Sequence, residues 1–256
     1  MIRYANDAPR TRALDAALDG LEGPPELCLV LGGDGTMLRA IARHGPDYTY
    51  FGVNCGHLGF LMNDVAGGPL PNEANGAAQV AAAVERIVRE GTWTAVEFPR
   101  LRMIATRADG EFEALALNDV YVERQAQTCH LRVTVDGVEV VRHMVADGIV
   151  AATPLGSTAY SFSAGGPAAH PFVQAIHLTA ICPHIPRLAP LVLPPTARIR
   201  IEVLDPDERS ARAVADGVPC EDVRRVDIFS SGDTVRLGYL HGHDFTATMI
   251  RKILHP

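Results

Sequence analysis

The hydrophobic period of this chain changes once along its length, and that change dictates its architecture. Up to about residue 92, apolar residues come in short continuous runs or at helical spacing. From about Trp93 they alternate with polar ones. Period 3.6 marks helices packed by one face, and period 2 marks half-buried strands. Leu27 to Leu31 (LCLVL), bounded by Pro24–Pro25 and Gly32–Gly33, reads as a buried strand, and Thr36 to Arg43 as the helix after it. Tyr50 to Val53 reads as a second strand, Asn54 to Phe60 as a glycine-punctuated loop, Pro69 to Gly76 as a further loop and Ala77 to Glu90 as a helix ended by Gly91. Beyond Trp93 the segments RLRMIATR, ALNDVYVER, HLRVTVDGVEVVR, ARIRIEVL and VDIFSSGDTVRLGYL are strand-like, with Asp136-Gly137 as a two-residue hairpin turn. The expectation is an α/β N-terminal domain over 1–93 and a mostly-β, sandwich-like C-terminal domain over 94–243. The tail, 244–256, returns to helical spacing and is expected to pack back on the first domain.

Composition narrows the function. The chain's 256 residues, folded as one unit, would bury roughly 70–75% of the extended surface, enough for one large core or two modest ones. No run of eighteen apolar residues exists, and the N-terminus has no apolar core, so neither a membrane span nor a secretory leader is expected. Five cysteines, an odd number with no CxxC spacing, suit a reducing cytoplasm better than a disulfide framework or a zinc site. A net charge of -7 argues against a broad nucleic-acid-binding face. Of the 23 basic residues only Lys252 is a lysine, which rules out a GxxxxGK[ST] phosphate loop and any mechanism that needs a mid-chain lysine.

Three segments carry the candidate chemistry. Gly32-Gly33-Asp34-Gly35-Thr36 stands where a buried strand turns into a helix, a place where backbone N–H groups and the helix dipole face an anion. Asp34 there could hold Mg²⁺ or accept a proton from an attacking hydroxyl, or simply cap the helix. Asn118 and Asp119 lie on opposite faces of a strand, so both reach one ligand only if the strand ends or kinks; otherwise Asp119 is an edge carboxylate on a solvated face. Asp147-Gly148 leads through an apolar strand into GSTAYSFSAGGP, where Ser157 is an expected N-cap and Thr158, Ala159, Tyr160 and Ser163 open a short helix. Small side chains with one aromatic suit stacking on a flat ring, and equally a packed helix start. His241 and His243 alternate, and His170 and His177 could share a helix face, but neither pair has a third ligand at a recognisable spacing, so no fixed metal site is expected. No GxSxG elbow is present.

Taken together, GGDGT, FGVNCGHLGFL, ALNDV, ADGIVAATPLGSTAYSFSAGGP, ICPH with PLVLP and a later Asp216-Gly217 resemble, in order and spacing, the bacterial NAD kinases, over roughly Leu27 to Gly217. The resemblance implies the two-domain fold and transfer of the terminal phosphate of ATP, or of polyphosphate, to the 2′-hydroxyl of the adenosine ribose of NAD. Asp34 would be the catalytic base. The resemblance also implies nucleotide contacts from Gly33, Gly35, Thr36, Arg39, Asn118, Asp119, Asp147, Thr158, Ala159, Tyr160, Ser161, Ser163 and Asp216. Mg²⁺ would arrive on the nucleotide phosphates. The resemblance also implies a homodimer or homotetramer, with some pocket residues supplied across a subunit boundary, and the cysteine usage noted above gives the expectation of a cytoplasmic protein. One departure is that Asn-Glu is the commoner form of the second motif, and Asp119 is one methylene shorter. Two alternatives share only part of the pattern: a lipid or sugar kinase with GGDGT, and a non-catalytic dinucleotide sensor.

Overall fold

The computed structural model describes residues 1–56, 59–65 and 76–254. The expected loop at 69–76 therefore lies outside the described residues except for Gly76, as do His57 and Leu58 of the glycine-punctuated loop. The elements run β1 (Ile2–Ala5), α1 (Pro9–Ala17), β2 (Leu27–Gly32), α2 (Asp34–His44), β3 (Thr49–Asn54), α3 (Gly76–Glu90), β4 (Trp93–Arg107), β5 (Gly110–Ala116), β6 (Asp119–Arg124), β7 (Cys129–Val135) and β8 (Val138–Ala146). They continue through β9 (Gly148–Ala152), α4 (Tyr160–Ser163), β10 (Ile176–Ile181), β11 (Leu191–Leu193), β12 (Ile199–Leu204), β13 (Ala211–Ala215), β14 (Val218–Cys220), β15 (Arg225–Leu240) and α5 (Phe245–Leu254). Two compact units result: Met1–Phe98 with Thr234–Pro256, and Pro99–Asp233.

In the first unit β1, β2, β3 and the Arg236–Gly238 stretch of β15 are parallel neighbours in that order. All six residues of β2 and of β3 are buried. The reason is visible in the alternation. Leu27, Leu29 and Leu31 pack with Phe51, Val53, Leu14 and Leu18 and with Val80, Val84, Ile87 and Val88 of α3. On the other face, a side chain at Gly52 would run into Met62 and into Met37 of α2. A parallel sheet covered on both faces needs continuous apolar strands, and LCLVL is one.

The second unit is built from two antiparallel sheets. One holds β8, β7, β12 and the Arg225–Ile228 stretch of β15, with β4 paired to β5. The other runs β11-β10-β9-β6-β13-β14. Leu131, Val133, Ile199, Ile201 and Ile228 from the first and Val120, Val122, Ile149, Leu178 and Ala213 from the second form one core, as in a β-sandwich. The β7–β8 hairpin turns at Asp136 and Gly137, both at positive φ (51° and 79°), with Val135 opposite Val138, the geometry that Asp-Gly favours. ALNDVYVER, expected as one strand, is two: β5 ends at Ala116, and β6 starts at Asp119 in the other sheet.

Candidate active site

In the first unit the chain leaves β2 through Gly32 and enters α2 at Asp34. Gly32 has φ +154°, and a Cβ there would stand 2.4 Å from Thr36 Oγ1. Only glycine lets the turn close this tightly. Gly33 is the extended residue before the helix, Gly35 is exposed and Arg39 donates to Thr36 Oγ1 at 3.4 Å. Thr36 itself is buried and also accepts a hydrogen bond from the side chain of Asn6 at 3.1 Å. Asp34 is the first helical residue, where the unpaired N–H groups and the dipole favour an anion.

The Asp34 carboxylate is held on both oxygens. Phe60 N–H donates to Oδ2 at 2.9 Å and Leu61 N–H to Oδ1 at 3.0 Å. Gly59 makes room for this, because a Cβ at residue 59 would lie 2.4 Å from Oδ1. The third partner is one that sequence reasoning missed: Lys252 of α5 places Nζ 3.3 Å from Oδ2, both side chains being 24% exposed. Tyr239 is buried beneath, its hydroxyl donating to Phe60 O at 3.2 Å. Burial, and then the charge of Asp34, push that phenol far above its usual range.

The second unit assembles the other two motifs. The break between β5 and β6 turns Leu117 and Asn118 into a corner whose N–H groups, with that of Asp119, all donate to the carboxylate of Asp216. Asp216 sits in a two-residue hairpin between β13 and β14 (φ 47°, followed by Gly217 at 85°), so both its oxygens serve the backbone. Asp119 is 7% exposed. Burial, and then the nearby Asp216 charge, push its carboxyl up to about 7. Burial raises Asp216 to about 6, against the pull of its three N–H donors. Asn118 Oδ1 is buried with no hydrogen-bond partner among the described residues, an acceptor that a bound ligand would satisfy. The corner is roofed by the third motif: Thr153 N–H donates to Asn118 O, Thr153 Oγ1 donates to Leu117 O, and a Cβ at Gly156 would fall 2.1 Å from Asn118 O.

From there Gly156–Thr158 forms a 3-10 turn leading into α4. Ser157 is not the N-cap that its position suggested. It is fully buried, donates to Pro154 O at 2.6 Å and accepts from Ala169 N–H at 2.9 Å. Ser161 is likewise buried and shares a hydrogen bond with Thr179, while Thr158 is 7% exposed. Ala159 is half-buried between the two turns. Tyr160, Ser163 and Asp147 line a cleft of about 700 Å³ together with Glu123, Arg124 and Arg212. Tyr160 meets Tyr121 edge to face at 5.0 Å, and Asp147 is paired with Arg124 at 2.7 Å. Among the expected histidines, His177 lies on strand β10 rather than a helix, fully inside, and burial lowers its pKa.

A carboxylate at the mouth of a strand–helix turn is a way to take a proton from a hydroxyl under phosphorylation, and the cleft beside Tyr160 has room for a flat ring. Each is a feature that a phosphotransferase with an alcohol as acceptor requires. The comparisons agree. A family model described as the ATP-NAD kinase C-terminal domain matches residues 117–233. The chain is 35% identical over 249 residues to an NAD kinase of Aromatoleum aromaticum, covering 94% of this chain and 77% of that protein. It is 36% identical over 231 residues to an NAD kinase of Cereibacter sphaeroides, with 89% and 85% covered. The chain belongs to the NAD kinase family. Two solved structures share its fold. A yeast NADH kinase complexed with NADH has a TM-score of 0.78 at 21% identity, covering 99% of this chain and 86% of that one. An Archaeoglobus fulgidus NAD kinase in complex with ATP has a TM-score of 0.74 at 24% identity, covering 98% of each.

Proposed function

We propose that this chain transfers the terminal phosphoryl group of ATP to the 2′-hydroxyl of the adenosine ribose of NAD, with Asp34 taking the hydroxyl proton. The observation that carries the reading is the setting of Asp34: first residue of α2, straight after a buried strand, each oxygen aligned by a backbone N–H. A carboxylate is a weak base toward a sugar alcohol until the forming bond to phosphorus acidifies that oxygen, so the proton passes late. The O–H bond breaks, the O–Pγ bond forms, and the electron pair of the bond between Pγ and its bridging oxygen leaves with ADP.

Around that step the remaining residues position the nucleotides. Gly33, Gly35 and Arg39 border the phosphate path, with Thr36 bracing them from behind. Asn118 and Asp119 take the ribose and amide through the orphaned Asn118 Oδ1 and the buried Asp119 carboxyl. Asp216 acts through the backbone that it clamps. Asp147, Tyr160 and Ser163 line the nucleotide cleft, and Thr158, Ala159 and Ser161 belong to the turn and helix that present Tyr160 and Ser163 to it. A divalent ion would arrive on the donor phosphates, where it would neutralise charge. Exposed Phe162, Phe172 and Val173 support assembly as a homodimer or homotetramer, and five unpaired cysteines support a cytoplasmic setting.

The test is NADP formation from NAD and Mg-ATP, read by an NADP-specific dehydrogenase. The expected result is NADP made by the parent chain and lost in Asp34→Asn. Product on diacylglycerol alone, or tight NAD binding with no product from ATP or polyphosphate, would overturn the reading.

A further inference from the structure

We infer that Lys252, the chain's single lysine, is a positioning residue for phosphoryl transfer, governing the carboxylate of Asp34; this rests on the function proposed above. The contact spans 218 residues of sequence and lies wholly within the first unit. α5 is fixed in place by features of its own. Asp244 caps it through the Ala247 N–H at 2.9 Å, Thr248 is 3% exposed, and Phe245 packs edge-on against Phe98 and Tyr239. Two turns after Phe245 the helix delivers the ammonium to Oδ2 of Asp34 at 3.3 Å, over the Phe60 ring at 4.9 Å from its centroid.

The arithmetic of lone pairs gives the contact a consequence. Among the described residues, Oδ2 accepts from Phe60 N–H and from Lys252, which fills its two in-plane lone pairs, while Oδ1 accepts from Leu61 N–H. Of the two oxygens, Oδ1 therefore has the fewer donors among the described residues and keeps a lone pair for a further hydrogen. Lys252 thus selects Oδ1 as the proton acceptor. Once Oδ1 has taken the proton, Asp34 is neutral and Lys252 has lost its counter-ion. Its charge is then available to the phosphoryl group bonding to the oxygen that gave up that proton. An arginine at this distance would supply charge, and a neutral chain of similar length would supply packing alone.

Because the chain holds one lysine, protein labelled with ¹⁵N and ¹³C in lysine gives a single side-chain signal. That signal is expected to move by more than its line width in Asp34→Asn, and again when NAD and Mg-ATP are added to the parent. In the kinetic arm, Lys252→Met is expected to lower kcat by about ten-fold or more, with KM for NAD and ATP within about two-fold, and Lys252→Arg to recover most of the loss. A signal indifferent to Asp34→Asn, or a Lys252→Met kcat within about two-fold of the parent, overturns the proposal. So does an equal loss in the Met and Arg variants that tracks a fall in melting temperature. If Lys252→Met does not fold, Lys252→Gln, which keeps a donor near Oδ2 without its charge, takes its place under the same criteria. Should the parent make no NADP, the functional reading falls, while a displaced signal still upholds the Lys252–Asp34 pair.

Discussion

Two carboxyls share one buried corner at Asp119 and Asp216, and the fold bears a penalty for it. Both hold their protons to higher pH in the folded chain, about 7 and about 6, than an ordinary aspartate with its value of 3.8. Between these limits the folded state binds protons that the unfolded state has released, so stability falls as pH rises through that window. The penalty is absent below about pH 4 and complete above about pH 7. Asp119→Asn, neutral throughout, should therefore melt higher than the parent at pH 8, by something on the order of 2 kcal/mol, and show a flatter decline across the window. Thermal melts from pH 4 to 8 check this, and a lower melting point for the variant at pH 8 would contradict it. Asp34→Asn behaves differently. Its amide NH₂ must confront either the Phe60 or the Leu61 N–H, so a loss of about 1–3 kcal/mol should accompany a fall in kcat of about two orders of magnitude or more. Calorimetry beside the coupled assay separates the two.

At the scale of elements, what could be read depended on whether the deciding interaction was local. The turn from β2 to α2 was legible because a buried apolar run and three glycines stand within a few residues, and the Asp136-Gly137 hairpin was legible for the same reason. The break in ALNDVYVER was not. Period 2 carries straight on through the corner where the chain changes sheets, and the acceptor for the freed N–H groups is Asp216, almost a hundred residues away. Ser157 had the look of a cap, but its hydroxyl is claimed by Pro154 and by Ala169 twelve residues on. Lys252 offered no signal beyond its solitude. The roof over the corner is rigid: Gly156→Ala would press a methyl group against the carbonyl of Asn118, backbone that cannot yield. A loss of about 2 kcal/mol or more is expected, together with a higher KM for NAD, since the Asn118 side chain moves with its backbone. Urea melts and steady-state kinetics measure both.

For the molecule as a whole, the second unit is one uninterrupted stretch, residues 99–233, whereas the first is assembled from 1–98 and 234–256. The second has both of its sheets and a core of its own. Expressed alone, 99–233 should melt cooperatively, while 1–98 should not, because β3 would lack Arg236–Gly238 as its neighbour and Asn63 would lose its bonds to Gly238 and Leu240. Circular dichroism of the two fragments decides it, and a cooperative 1–98 would contradict the prediction.

That split first unit also sets an order of events on the ribosome. A nascent chain emerging at roughly 5–20 residues per second exposes β3 on the order of 10–40 s before α5 follows. Throughout that wait the carboxylate at the head of α2 has no lysine to meet. The unit that carries Asp34 is begun first and closed last, so an arrested or prematurely released polypeptide would be left with a complete sandwich and an unfinished first unit.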